Sequence, residues 1–367
     1  MSTSPERLAF LLPHLWGGGA ERVALRLIED FVALGYDVDL LLMEAKGQLM
    51  PLVPPSVRVI DLKTPRIRDV LMPLVRYLRT ERPDGIQIYM WPLTVIGVVA
   101  HRIARSKSRL VLSEHTTLSR HYGHYGTLRR HILGLSIRLT HPLADACVTV
   151  SSQAADDMAA VSGIDRSRME VIYNPIERPP AIVADTATAS GLWSDAPARI
   201  ISVGTLKPPK NQTLLIDAFA LLRKQRPARL VILGEGEMRE TLEARIAQHG
   251  LQDEVLLPGF FVDPWPFYTT ADVFVLSSDY EGYGNVLVEA MYAGLQIVST
   301  DCPSGPREIL DGGVYGRLVP CDDPTALARA MGEAIDAPID PATIKAQAEA
   351  LSGDHTSARY LALMTGR

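Results

Sequence analysis

Cysteine is scarce: the 367 residues include three, Cys147, Cys302 and Cys321. They are odd in number and far apart, which argues against a disulfide framework or a cysteine zinc site and for a reducing cytosol. Long apolar runs are missing too. The best candidate, residues 93–100, stops at His101 and Arg102, well short of the ~18 residues a membrane span needs. The opening MSTSPERLAFLLPHLWGG is too polar, and its apolar run too short, for a secretory signal. A cytoplasmic protein is therefore expected. No Asp-x-Asp pair falls in a plausible metal loop. His121, His124, His131 and His141 have no acidic or cysteine neighbours to complete a metal set. No internal repeat, low-complexity tract or G-x-G-x-x-G dinucleotide fingerprint is present, and nothing points to nucleic acid as a partner.

Acidic residues are sparse in one region only. Residues 1–178 carry 22 Lys/Arg and 18 Asp/Glu, whereas residues 179–367 carry 15 and 24. Across 101–138, eight basic residues face Glu114 alone. A basic half on an acidic protein suits an anionic partner, such as a membrane surface or a lipid diphosphate; a solvated face explains it equally. Within 118–143, Leu128, Ile132, Leu135 and Leu139 form one helical stripe, and Leu133 and Ile137 fall on another face. Such a helix either docks a membrane or acceptor lipid, or belongs to the core with a basic outer edge.

What is present is a regular alternation. Apolar runs at 7–12, 37–43, 57–61, 85–89, 109–113, 146–150 and 169–173 read as strands, with helical spacing between several of them. The pattern resumes at 199–203, 229–233, 255–257, 273–276 and 316–319. Alternating β and α segments predict an α/β protein with parallel sheets covered on both faces. The length predicts two domains: 1–178, a Pro/Ala/Thr-rich linker at 179–197, 198–345, and a final stretch at 346–367.

The densest chemistry lies in SSDYEGYGNVLVEAMYAGLQIVSTDCPSGPREIL, residues 277–310. A strand runs into a turn carrying Glu281, Gly282, Tyr283 and Gly284, and a helix begins at about Asn285 and Val286, with Glu289 on it. A glycine turn feeding a helix N-terminus directs free backbone N–H groups and the positive end of the macrodipole at an anion. Flanking carboxylates suit hydroxyl donors. A ligand with phosphates in the middle and hydroxyls at both ends fits, and a nucleotide sugar has that form. Lys207 and Lys210 follow the strand at 199–203 and precede a helix, so they can meet the same phosphates. In the first domain, Gly18 and Gly19 lie between strand and helix, either as an anion loop or as a tight turn. His115 sits in SEHTT at the carboxyl end of the strand 109–113, where open α/β sheets bind ligands. Gly234, Glu235 and Gly236, and Phe260, end two further strands, either for close backbone approach to a ligand or as plain turns.

EGYGNVLVEAMYAG resembles the Glu-x7-Glu signature of the retaining, GT-B type glycosyltransferases of family 4. SGPREIL resembles a branch that builds bacterial surface polysaccharides and lipid-linked oligosaccharides. The resemblance implies two Rossmann-like domains with parallel sheets facing a central cleft, the first on the acceptor side, and a last helix crossing back to the first domain. It implies a hexosyltransferase moving a hexose or N-acetylhexosamine from a nucleotide sugar, UDP-linked in the resembling branch, to a lipid-linked or polysaccharide acceptor. Peripheral contact with the inner face of the cytoplasmic membrane is compatible with such an acceptor. No metal cofactor is expected. The catalytic set is Glu281, Lys210 and His115. In the donor-binding set, Gly18, Gly19, Lys207 and the start of the helix at Gly284 and Asn285 serve the diphosphate. Glu289 serves the ribose; Gly234, Glu235, Gly236 and Phe260 serve the base and ribose. Thr205 stands where the family pattern has Arg, with Lys207 two residues on as the substitute charge. The rival readings are a GT-B nucleotide-sugar epimerase and a non-catalytic sugar-nucleotide-binding protein.

Overall fold

The computed structural model describes residues 6–176, 178–180, 183, 186–193, 196–351 and 355–367. The chain divides into two compact units, residues 1–175 with 353–367, and residues 176–352. In the first unit, seven strands are β1 (Arg7–Leu12), β2 (Asp37–Leu42), β3 (Arg58–Asp61), β4 (Gly85–Tyr89), β5 (Arg109–Glu114), β6 (Ala146–Thr149) and β7 (Met169–Val171). They pair in the order β3-β2-β1-β4-β5-β6-β7, all parallel. Leu8 through Leu12 are fully buried, because helices cover both faces of a parallel sheet and leave no solvent face for polar residues. The helix Gly19–Ala33 buries Val23, Leu27, Ile28 and Phe31, one face at the helical period.

In the second unit, β8 (Arg199–Val203), β9 (Arg229–Leu233), β10 (Val255–Gly259), β11 (Val273–Leu276), β12 (Gln296–Thr300) and β13 (Arg317–Val319) pair in the order β10-β9-β8-β11-β12-β13. This sheet is also parallel. Both sheets have the Rossmann-like strand order, which reverses direction between β1 and β4 in one and between β8 and β11 in the other. Crevices at the carboxyl ends of those central strands are where such sheets take ligands.

Three boundaries differ from the sequence expectation. The stretch read as a linker holds a helix, Thr186–Trp193. Trp193 is buried, and its indole N–H donates to Thr270 Oγ1 at 2.9 Å; one large side chain anchors a segment with no apolar period of its own. Residues 181–182, 184–185 and 194–195 of that stretch lie outside the described residues. The first unit ends at Pro175 rather than at residue 178. The final segment is two helices, so a division at 345/346 falls inside the first. Pro341–Leu351 buries Ile344 and Ala348 and packs on the helix Asn285–Ala293 of the second unit. Thr356–Thr365 buries Tyr360 and Met364 and packs on β4 and β5 of the first unit, where Arg109 Nε donates to the Leu363 carbonyl at 2.8 Å. Residues 352–354 between them lie outside the described residues. Among the described residues no helix is long and apolar enough to cross a membrane.

Candidate functional site

In the second unit the loops after β8 and β11 converge at the reversal point of the sheet. Lys210 Nζ donates to Glu281 Oε1 at 2.6 Å, and Ser278 Oγ donates to the same oxygen at 2.6 Å. Glu281 is 9% exposed, so its charge sits in a partly desolvated site where a partner matters more than on the surface. The backbone is tied in as well. Ser277 Oγ donates to the Lys210 carbonyl at 2.8 Å, and the Asp279 N–H to the Pro209 carbonyl at 2.8 Å. Asn211, in the left-handed region at φ 44°, caps the helix Gln212–Arg223 and donates from Nδ2 to Asp279 Oδ1 at 2.8 Å. The sequence reading missed Ser278 and Asn211. The small polar residues flanking Glu281 and the Lys-Asn pair before a helix were the available signals.

The helix Asn285–Ala293 starts from Gly284, which has φ 101° and brings no side-chain cap. Its first turn therefore directs backbone N–H groups and the positive end of the macrodipole at the glycine turn without a side chain of the cap residue in the way. Gly282 and Tyr283 are buried, and Asn285 and Val286 half-buried. The turn is clamped from behind: Ser304 Oγ donates to the Gly282 carbonyl at 2.7 Å. A Cβ on Gly305 would stand 1.7 Å from the Tyr283 carbonyl oxygen, so the SGP segment exists to let two backbones touch. Glu289, half-buried on the helix, accepts from Tyr268 OH at 2.9 Å through Oε2. Cys302 lies behind this region; burial, then the charge of Glu281, pushes its thiol up, which leaves it unreactive.

Other expected donor contacts have more local explanations. Gly234 has φ 146°, and a Cβ there would meet the Gly204 carbonyl at 2.0 Å; one on Gly236 would meet the Leu206 carbonyl at 2.3 Å. Both glycines are required by the neighbouring loop itself. The Glu235 carboxylate pairs with Arg239 at 2.5 Å, which holds it below its ordinary pKa. Its backbone carbonyl accepts from Leu206 N–H at 3.0 Å. Phe260 follows β10 and is half-buried. Lys207 is exposed, and its side chain makes no hydrogen bond or ion pair among the described residues.

In the first unit, the glycine loop is not open to an anion as it stands. Glu21 folds back so that Oε2 accepts from the Gly17 and Gly18 N–H groups, each at 2.6 Å, while His14 Nδ1 lies 3.3 Å from Oε1. Gly18 is the N-cap and Gly19 the first residue of the helix. A phosphate at the Gly17 and Gly18 amides would have to displace this carboxylate. His115 follows β5. Its ring stacks on Tyr89 with centroids 5.2 Å apart, and its Nε2 shares a hydrogen bond with Ser113 Oγ at 2.9 Å. Its Nδ1 is buried and has no partner among the described residues. Burial holds the imidazole down to about 3, so at neutral pH it is an uncharged group.

Residues 17–178 match the family model described as Glycosyltransferase Family 4, and residues 184–351 that described as Glycosyl transferases group 1. The N-acetylgalactosamine-N,N'-diacetylbacillosaminyl-diphospho-undecaprenol 4-alpha-N-acetylgalactosaminyltransferase of Campylobacter jejuni is 30% identical over 334 residues, which span 88% of each chain. The amylovoran biosynthesis glycosyltransferase AmsD of Erwinia amylovora is 27% identical over 304 residues, 81% of each chain. The crystal structure of HepE from Anabaena with UDP-glucose superposes with a TM-score of 0.77 at 22% identity, covering 97% of this chain and 99% of that one. At that identity the likeness shows the fold. Taken with the Lys210–Glu281 site, these relatives place the chain in glycosyltransferase family 4, among the group 1 glycosyl transferases, and make it a glycosyltransferase.

Proposed function

We propose that the chain transfers a hexose or N-acetylhexosamine from a UDP-sugar to a lipid-linked or polysaccharide acceptor, with retention at the anomeric carbon and no metal. The observation that carries this is the Lys210–Glu281 pair beside the helix start at Gly284, at the carboxyl ends of β8 and β11. The names of the Campylobacter and Erwinia relatives support the acceptor class, and HepE bound to UDP-glucose supports the donor. The reading places the work at the inner face of the cytoplasmic membrane.

In this reaction the bond from C1 to the donor phosphate oxygen breaks and the bond from the acceptor oxygen to C1 forms on the same face. The acceptor proton leaves with the diphosphate oxygen, and no sugar is attached to the enzyme. Negative charge grows on the diphosphate, so fixed positive groups there act mainly in the transition state. Lys210 supplies one, the helix start at Gly284 to Val286 another, and exposed Lys207 swings in where the family pattern has Arg at position 205. Glu281 holds Lys210 in place before the donor arrives and then accepts sugar hydroxyls. Glu289, oriented by Tyr268, accepts the ribose hydroxyls. His115 gives a hydrogen bond to a donor-sugar hydroxyl or to the main chain, the role that the family resemblance implies.

The test is a panel of UDP-, GDP- and ADP-sugars, read by thermal shift and by released nucleotide, on the wild type and Glu281→Ala. Stabilisation by one donor, with nucleotide release lost in the variant, is the expected result. Absence of any donor effect, or stabilisation with no nucleotide release when lipid acceptors are added, would overturn the proposal.

A further inference from the structure

The helix Thr127–Thr140 has two apolar faces, and the structure uses only one of them internally. Leu133, Gly134 and Ile137 are buried, and Leu133 and Ile137 pack with Leu118, Ala155, Met158 and Met169. The stripe at the i, i+4, i+7, i+11 positions points outward: Leu128 is 74% exposed, Ile132 53%, Leu135 56% and Leu139 63%. A row of four large apolar side chains in water is costly to maintain without a use, and such rows mark interaction sites. Exposed His131 and Arg138 flank one side of the stripe and exposed Arg129 the other. The helix contains no acidic residue. Glu114, the lone acid among residues 101–138, is 2% exposed, so it does not offset the basic charge outside. Beside the stripe a groove of about 450 Å³ is lined by Leu135, Tyr122, Arg130, His131 and Arg138. It places an apolar floor under a cationic rim.

We propose that this outer face is a docking surface for an anionic lipid bilayer. The four aliphatic side chains enter the boundary between headgroups and acyl chains, and Arg129 and Arg138 reach lipid phosphates from its edges. Charge decides against a second copy of the chain as the occupant. A two-fold interface sets the same patch against itself, and here that would bring one basic helix against another that has no carboxylate of its own to pair with it. The inference deepens the proposed function by naming the surface through which the chain meets the membrane of its acceptor.

The experiment is flotation of the full chain with vesicles of phosphatidylcholine, with and without phosphatidylglycerol, at low and high salt. Two variants accompany the wild type. One replaces the stripe (Leu128→Ser, Ile132→Ser, Leu135→Ser, Leu139→Ser), and the other the flanks (Arg129→Gln, Arg138→Gln). The wild type should float only with phosphatidylglycerol, and less at high salt. The stripe variant should stay in solution, and the flank variant should bind roughly fivefold more weakly per arginine removed. Both should keep the wild-type melting temperature and donor-induced thermal shift. The inference is overturned if the wild type does not float, or if the stripe variant floats as the wild type does. It is also overturned if light scattering shows a wild-type dimer that the stripe variant dissolves while neither binds lipid. Vesicle binding needs no sugar transfer, so a failed donor panel leaves this result readable, and failed flotation leaves the donor panel intact.

Discussion

Lys210 and Glu281, 71 positions apart in sequence, meet through a 2.6 Å ion pair on loops that leave neighbouring strands of one parallel sheet. The pair connects the fold to the proposed chemistry. Replacing Lys210 by Ala removes the fixed charge expected to act on the departing diphosphate. Turnover should fall by about 10²–10³-fold, the range found when one preorganised donor is removed from a developing anion. Because Glu281 is nearly buried, it also loses a partner, and stability should drop by about 1–3 kcal/mol. Nucleotide release and a urea melt on the same preparation check both. Wild-type turnover in the variant would remove Lys210 from the mechanism.

Tyr268 and Glu289 give a second, milder test. Tyr268→Phe deletes the hydroxyl that donates to Glu289 Oε2 but preserves the fully buried ring. The carboxylate stays in place with one orienting bond fewer. The expected result is a KM for the donor raised severalfold with kcat little changed, since a net hydrogen bond is worth about 1 kcal/mol. Glu289→Ala should raise KM further. A fall in kcat at unchanged KM would assign Glu289 to the transition state instead of to ribose binding.

The strands were legible because a parallel sheet buried on both faces turns each strand into an apolar run, as in RLAFLL and VFVL. Glu281, Glu289 and Lys210 were legible because glycine turns and helix starts punctuate the sequence around them. What was not legible depended on contacts distant in the chain. Strand order is a non-local property. The helix Thr186–Trp193 exists because Trp193 finds a buried site beside Thr270, and its own Ala/Thr composition carries no period. Periodicity showed two apolar stripes on Thr127–Thr140, yet only packing decides which one faces the core. The return of Glu21 onto the Gly17 and Gly18 amides turned an apparently open anion loop into an occupied one. That carboxylate is only three residues beyond Gly18, but no spacing rule distinguishes it from a solvated first-turn acid.

Gly305 and Gly250 separate two reasons for glycine. Gly250 has φ 66°, and a Cβ there would meet nothing within 4 Å, whereas at Gly305, φ 98°, a Cβ would overlap the Tyr283 carbonyl. Gly250→Ala should cost about 1 kcal/mol, the strain of a left-handed residue alone. Gly305→Ala forces two backbones apart directly behind the turn that carries Glu281. It should cost more than about 3 kcal/mol and lower donor binding in whatever folded protein remains. Paired denaturant melts and donor thermal shifts would show this. Equal costs at the two positions would refute the clamp.

His115 makes a prediction about acid. An unfolded histidine titrates near 6.5, and burial lowers this one to about 3 in the folded chain. Between those values the unfolded state binds a proton that the folded state does not, so stability falls as pH drops through the window and is unaffected by this group above it. The slope is at most about 1.4 kcal/mol per pH unit. Carboxylates contribute their own slopes at the acid end, so the informative quantity is the difference between the wild type and His115→Gln. Urea melts from pH 7 downward should show the wild type losing stability faster than the variant, with the two curves parallel above about pH 6.5. Parallel curves throughout would mean that the folded imidazole titrates as the unfolded one does, near 6.5. Burial would then not set its charge, and its role as a fixed neutral group at the donor sugar would have to be abandoned.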